Sequence, residues 1–340
     1  MHDISEVSVE DREVPSISAE EVLIEVKAVG VCGSDVHYYN HGRIGRRVVK
    51  YPHVQGHECA GVVIDIGEDV KNLKPGDRVV VEPGIACGEC DFCKKGKYNL
   101  CDEMVFISTP PHQGAFAKYI SHKSSFVHKI PDELDFTTAS LAEPLAVGIH
   151  VMNRAEVKPD DTIVIVGMGP VGLLMVIAAR AYGIKNILVF DVEDFRLKIA
   201  ESLGAARTFN AKDGSVKEQI TSTGFESANI FIDTSGNNRV IYDSVNVIKK
   251  GGKVVLVGFP SNEETTFDFI SLLQKEIDII SIYRYRNVFP SAVKILTEYS
   301  NIARAIITHK FDLENIKDAM EQSFTSPNET GKVIIYPHGY

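Results

Sequence analysis

Four cysteines fall within fifteen residues, Cys87, Cys90, Cys93 and Cys101, in the stretch GIACGECDFCKKGKYNLC. The spacing C-x2-C-x2-C-x7-C sets four thiolates on short, glycine-containing spacers, and four thiolates can close a tetrahedral shell around Zn²⁺. A disulfide-bonded loop and an iron–sulfur cluster are the competing uses of such a set. Disulfides suit small secreted domains, whereas this chain has 340 residues and a core large enough to stand without staples. The ferredoxin-type cluster runs differ in their last spacing. The pattern therefore predicts a structural zinc loop. That loop absorbs four of the six cysteines and leaves only Cys32 and Cys59 for other chemistry.

A second chemical signal is Gly167-Met168-Gly169-Pro170-Val171-Gly172, a G-x-G-x-x-G. Alone the pattern is weak. Here it follows the apolar run TIVIV and precedes VGLLMVIAARAYG, the strand–turn–helix context that a dinucleotide site requires. The first glycine permits the turn, the second admits a pyrophosphate to the backbone, and the third lets helix and strand approach. Helix-terminal N–H groups then face the phosphates. About twenty residues on, NILVFD ends in Asp191, where a carboxylate accepts from the ribose hydroxyls of NAD and repels the 2′-phosphate of NADP. The alternative is an Asp that merely caps the loop. Arg196 either stacks on adenine or admits a phosphate. The balance predicts NAD.

These residues must be carried by two kinds of element. Up to about residue 145 the chain reads as short strands, EVLIEVKAVG, ECAGVVIDIG and DRVVVEPG, broken by Gly, Pro and Asp, with KPGD at 74–77 as a strong turn. That grammar suits an irregular β-barrel-like domain. From Leu141 onward strands alternate with helices (TIVIVG, NILVFD, ANIFIDTSG, GGKVVLVG), which indicates a doubly wound parallel sheet. The expected fold is therefore α/β, with domains at 1–146, 147–281 and a return to the first at 282–340. The closing GKVIIYP is expected to rejoin the first domain. A net charge of −10 and no basic cluster beyond GRIGRR argue against nucleic acid and anionic membranes. Ile163–Ala179 is uncharged, but three glycines and Pro170 interrupt it, so it is not expected to span a bilayer. MHDISEVSVEDREVP carries no targeting pattern, and a reducing cytoplasm is the expected compartment.

With the zinc loop set aside, suitable ligands remain in Cys32-Gly33-Ser34-Asp35, Gly56-His57-Glu58 and Glu143-Pro144. Taken in this order with the cysteine loop and the glycine turn, and with GHE-x2-G-x5-G running from Gly56 to Gly67, the chain resembles the zinc-containing medium-chain dehydrogenase/reductase family over nearly its whole length. The resemblance implies a GroES-like catalytic domain beside a Rossmann domain, and a catalytic zinc on Cys32 and His57. It also implies a homo-oligomer, dimer or tetramer. Alcohol dehydrogenases of the family take a second cysteine from downstream, but no cysteine follows Cys101 here, so a carboxylate must replace it. Glu143 sits where that ligand would come from. Glu58 either binds directly, holds a zinc-bound water, or serves as an ion-pair partner behind the ligands. Cys59 is expected to be a core thiol, and Asp35 to accept the free N–H of His57. Such a zinc acts on a hydroxyl as a Lewis acid, with Ser34 placed to take the proton and His37 a lesser participant or a surface residue.

The stretches CGSDVHYYNHGRIG, VEPG, STPPHQGAFAKY, AEPLAVGIH and SIYRYRN resemble the polyol branch of that family. This implies oxidation of a sugar alcohol at C2, with Tyr38, Arg284 and Tyr285 on substrate hydroxyls and with Phe106, Thr109 and Glu143 at the pocket. A structural role for Arg284 and the tyrosines is the alternative. Threonine and butanediol dehydrogenases form the nearest enzymatic alternative, and a non-catalytic zinc- and NAD-binding protein the nearest of another class. Two departures stand out. All four zinc-loop cysteines are present, unlike in animal members of the branch, and the family's first strand looks short or absent.

Overall fold

Along Glu21–Gly30 every second residue from Val22 to Ala28 is fully buried, the period of a strand with one face on a core. A computed structural model describes residues 1–260 and 264–339, and in it this strand is the hub of the first of two units. That unit comprises Met1–Glu143, Arg286–Ser300 and Ile307–Tyr340. Its seven-stranded sheet runs Ile307–Asp312, Lys332–Tyr336, Glu21–Gly30, Glu58–Ile66, Arg78–Val81, Val127–Lys129, and Tyr119–Lys123 also pairs with Glu21–Gly30. All neighbours are antiparallel except the parallel pair Ile307–Asp312 and Lys332–Tyr336. Val22, Ile24, Val63, Val79, Ile335 and Met320 share one buried cluster. Ahead of Glu21 the described pairing is an isolated bridge between Asp3 and Glu6.

The second unit, Pro144–Tyr285 with Asn301–Ile306, holds a wholly parallel six-stranded sheet. Its order is Arg207–Asn210, Asn186–Asp191, Thr162–Val166, Ala228–Asp233, Ile248–Leu256, Asp278–Ser281. The central strand, TIVIV, is buried at every residue, as a strand covered on both faces must be. Chain direction across the sheet reverses beside it, which makes its carboxyl end the switch point where doubly wound sheets bind ligands. Joins are expected at 146/147 and 281/282; here they fall at 143/144 and 285/286, because helix Ala142–Ala155 begins in one unit and continues in the other. Asn301–Ile306 stays with the second unit rather than returning to the first. No helix among the described residues is long and apolar enough to cross a membrane.

Candidate active site

Cys32 lies just beyond the strand Glu21–Gly30 and caps helix Gly33–His41 with an extended backbone. The Asp35 carboxylate accepts from Cys32 N at 3.0 Å and completes a capping box. Asp35 is fully buried and does more than cap. Its Oδ1 accepts from Gly56 N at 3.2 Å and Ser108 Oγ at 2.9 Å, and its main-chain oxygen accepts from Gln55 Nε2 at 2.7 Å. One carboxylate thus ties the Cys32 turn to the segment that carries His57.

His57 Nδ1 is 3.6 Å from Asp35 Oδ1, an ion-pair separation longer than a hydrogen bond. Burial opposes the charged form of His57, yet Asp35 and Cys32 outweigh it and hold the imidazole well above its usual pKa. Asp35 responds in kind. Burial pushes it up, while His57 and two backbone N–H groups pull it below the usual carboxylate range. The field at this spot favours a cation.

The donor atoms of Cys32, His57 and Glu58 all lie within 4.8 Å of one another. A thiolate, an imidazole and a carboxylate in that compass fit Zn²⁺. Glu143, 7% exposed in the first turn of helix Ala142–Ala155, is not in that group. Glu58 Oε2 forms an ion pair with Lys332 Nζ, both side chains 1% exposed, so Oε1 is the oxygen outside that pair. Gly30 makes room for it: a Cβ there would fall 2.2 Å from Oε2 and 2.7 Å from Lys332 Cε.

Phe106 is buried with its ring centroid 5.7 Å from that of His57. Tyr38 is buried on the capped helix, while Ser34 and Thr109 are half-buried. His37 is exposed and its ring neighbours His41. Cys59 packs into the apolar cluster, and burial pushes its thiol up to about 12.

Cys87, Cys90, Cys93 and Cys101 form the other donor group, again within 4.8 Å, and all are free thiols. Backbone N–H groups of Cys87 and Cys90 donate to Cys101 Sγ and Cys87 Sγ, each at 3.4 Å. Four sulfurs in one cage fit a closed zinc site.

In the second unit, helix Pro170–Ala181 starts on the glycine loop with Gly169 as cap and Pro170 in its first turn. Gly167 takes a positive φ of 94°, and a Cβ on Gly172 would lie 1.9 Å from Gly167 O. A Cβ on Gly169 would meet nothing within 4 Å, the open side a phosphate needs. Asp191 braces the loop, accepting from Met168 N at 2.5 Å and Glu193 N at 2.9 Å. Thr234 Oγ1 also donates to Gly167 O at 2.6 Å. Arg196 is half-buried in helix Asp194–Ser202. Arg284 and Tyr285 end the segment Pro144–Tyr285 of the second unit. The Arg284 guanidinium lies 4.9 Å from the Tyr283 ring centroid, and Tyr285 is buried. Sequence reasoning passed over Lys332, Ser108, Gln55 and Thr234; for Lys332 the only available signal was a lysine opening an otherwise apolar strand.

The chain belongs to the zinc-containing medium-chain dehydrogenases. Residues 18–132 match the alcohol dehydrogenase GroES-like domain and residues 170–298 the zinc-binding dehydrogenase domain. Within the family it is an alcohol dehydrogenase of the polyol branch. It is 42% identical to a sorbitol dehydrogenase of Bacillus subtilis over 99% of this chain and 96% of that one. It is also 42% identical to a probable D-xylulose reductase A of Arthroderma otae, over 84% of this chain and 81% of that one. Among solved structures, a 2R,3R-butanediol dehydrogenase from Bacillus subtilis superposes with a TM-score of 0.90 at 29% identity, covering 99% of this chain and 98% of that one.

Proposed function

We propose that the chain is an NAD-linked polyol dehydrogenase that oxidises the C2 hydroxyl of a sorbitol- or xylitol-type sugar alcohol to the ketose, as in D-sorbitol to D-fructose. The observation that carries this is the Cys32–His57–Glu58 group, a zinc donor set completed by a carboxylate rather than a second cysteine. Cys32, His57, Glu58 (through Oε1 or a water) and Glu143 would hold the catalytic zinc, and the four-cysteine loop a second, structural one. A zinc held there would supply Lewis acidity for a substrate hydroxyl, and a bound NAD would supply the hydride acceptor. Asp35 fixes the orientation of His57, and Ser34 takes the hydroxyl proton and passes it outward. Tyr38, Arg284 and Tyr285 hold further hydroxyls, beside Phe106 and Thr109. Gly167, Gly169, Pro170, Val171 and Gly172 cradle the pyrophosphate, Asp191 holds the adenosine ribose, and Arg196 lies against the adenine. The setting is taken as cytoplasmic, and the assembly as a homo-oligomer of two or four copies.

Initial rates across sorbitol, xylitol, iditol, ribitol, 2,3-butanediol and threonine, with NAD and with NADP and the product identified, test this reading. Polyols with NAD should lead. Butanediol leading would move the chain to the branch of its structural neighbour.

Metal analysis should return two zinc ions per chain, with chelation stripping the open catalytic site first and abolishing turnover. Cys90→Ser should then lower the melting temperature more than it lowers kcat; one ion per chain would remove the structural zinc from this account.

Asp191→Ala should weaken NAD binding by about 1.5–3 kcal/mol, through loss of a charge-assisted hydrogen bond. It should also relieve repulsion of the NADP phosphate, so the preference narrows from both sides. Equal kcat/KM for the two cofactors in the unaltered protein would count against this role of Asp191.

A further inference from the structure

The residues just before Arg286 would touch substrate in the reading above, but the short stretch they sit in has no regular structure of its own. Ile282–Val288 belongs to neither helix nor strand, and Arg284 and Asn287 both take left-handed backbone, with φ of 55° and 56°. That conformation is uncommon outside glycine and persists where surroundings impose it.

On the first-unit side the surroundings are the four-cysteine loop. Tyr98, between Cys93 and Cys101, accepts from Asn287 N at 2.7 Å and donates to the buried carboxylate of Glu82 at 2.7 Å. Asn287 Nδ2 donates to Gly96 O at 2.9 Å, and Arg286 Nη1 donates to buried Asn99 Oδ1 at 2.9 Å. The other oxygen of Glu82 meets His128 Nε2 at 3.0 Å, and the His128 ring stacks on Phe289, the first residue of the next helix, with centroids 5.1 Å apart. Loop residues Gly96, Tyr98 and Asn99, with Glu82 and His128 behind them, therefore grip Arg286–Phe289 at successive points.

We infer that the zinc loop is a positioning element for polyol recognition: through Tyr98 and Asn99 it clamps Arg286–Asn287 and so sets the backbone that presents Arg284 and Tyr285. This rests on the reading that Arg284 meets polyol hydroxyls, and gives the cysteine cage a part in substrate choice besides stability. Tyr98 keeps its phenolic proton, because burial and the neighbouring Glu82 carboxylate push its pKa upward. It can therefore donate and accept together at any working pH.

The test uses Tyr98→Phe, which keeps the ring and removes only the hydroxyl, alongside Arg284→Ala and the double variant in the full-length, metal-loaded protein. Hydrogen exchange of the peptide holding the Asn287 amide should quicken at least tenfold in Tyr98→Phe, with zinc content unchanged. The KM for sorbitol should rise roughly tenfold, while KM for NAD and the rate with 2-butanol stay put. The double variant should be no worse on sorbitol than Arg284→Ala. Unchanged exchange, equal losses on sorbitol and 2-butanol, or additive losses in the double variant would each overturn the inference. If Arg284→Ala itself leaves sorbitol kinetics intact, the polyol-contact reading fails first, and the inference falls with it even where exchange has quickened.

Discussion

Lys332→Met is expected to lower the free energy of unfolding by about 3–5 kcal/mol, the usual cost of stripping one partner from a buried ion pair. Methionine keeps the length and apolar stem of lysine, so packing changes little, and the loss comes from a Glu58 carboxylate left without its cation. Both side chains are 1% exposed, so neither solvent nor a long rotamer can compensate. Equilibrium denaturation should register the loss. The paired change Glu58→Gln with Lys332→Met should recover most of it, since the pair is then neutral, although activity would not return. A single variant within about 1 kcal/mol of the parent would show that Glu58 is held by something other than Lys332.

Arg284→Ala is expected to reduce kcat/KM for sorbitol and xylitol by about 2–4 kcal/mol, chiefly through KM, if buried hydroxyls lose their donor. Arg284 already holds a φ of 55° with a Cβ, so alanine adds no backbone strain there. The side chain is the sole difference. Simple secondary alcohols such as 2-butanol offer no hydroxyl for it, and their poor rates should hardly change. A parallel fall for polyol and simple alcohol would assign Arg284 to holding the fold, with its guanidinium over the Tyr283 ring at 4.9 Å.

What could be read before any coordinates was whatever a short window contains. The four cysteines and the glycine turn are local patterns, and their spacing is enough to bring donor atoms together or to open a helix on a strand. The parallel sheet was equally visible, because each buried strand is a continuous apolar run followed by a helix. Contacts between distant stretches left no such trace. Nothing near Glu58 announces Lys332, and nothing near Asp35 announces the hydroxyl of Ser108. Periodicity says which face of a strand is buried; it does not say which strand will lie beside it. The hydrogen bonds of Tyr98 were hidden for the same reason, since the partners of its hydroxyl lie in stretches far apart in sequence.

The strand Lys332–Tyr336 pairs with Glu21–Gly30, and Lys332 itself reaches Glu58. On a ribosome these partners are made at very different times. Everything in Pro144–Tyr285 emerges between them, and a domain folds as a unit once its residues are out. The parallel-sheet unit can therefore be finished while Glu58 still lacks its counter-ion, and bringing the two together closes a loop that contains that whole unit. A chain interrupted before Lys332 would therefore hold a finished parallel-sheet unit and a Glu58 without its cation.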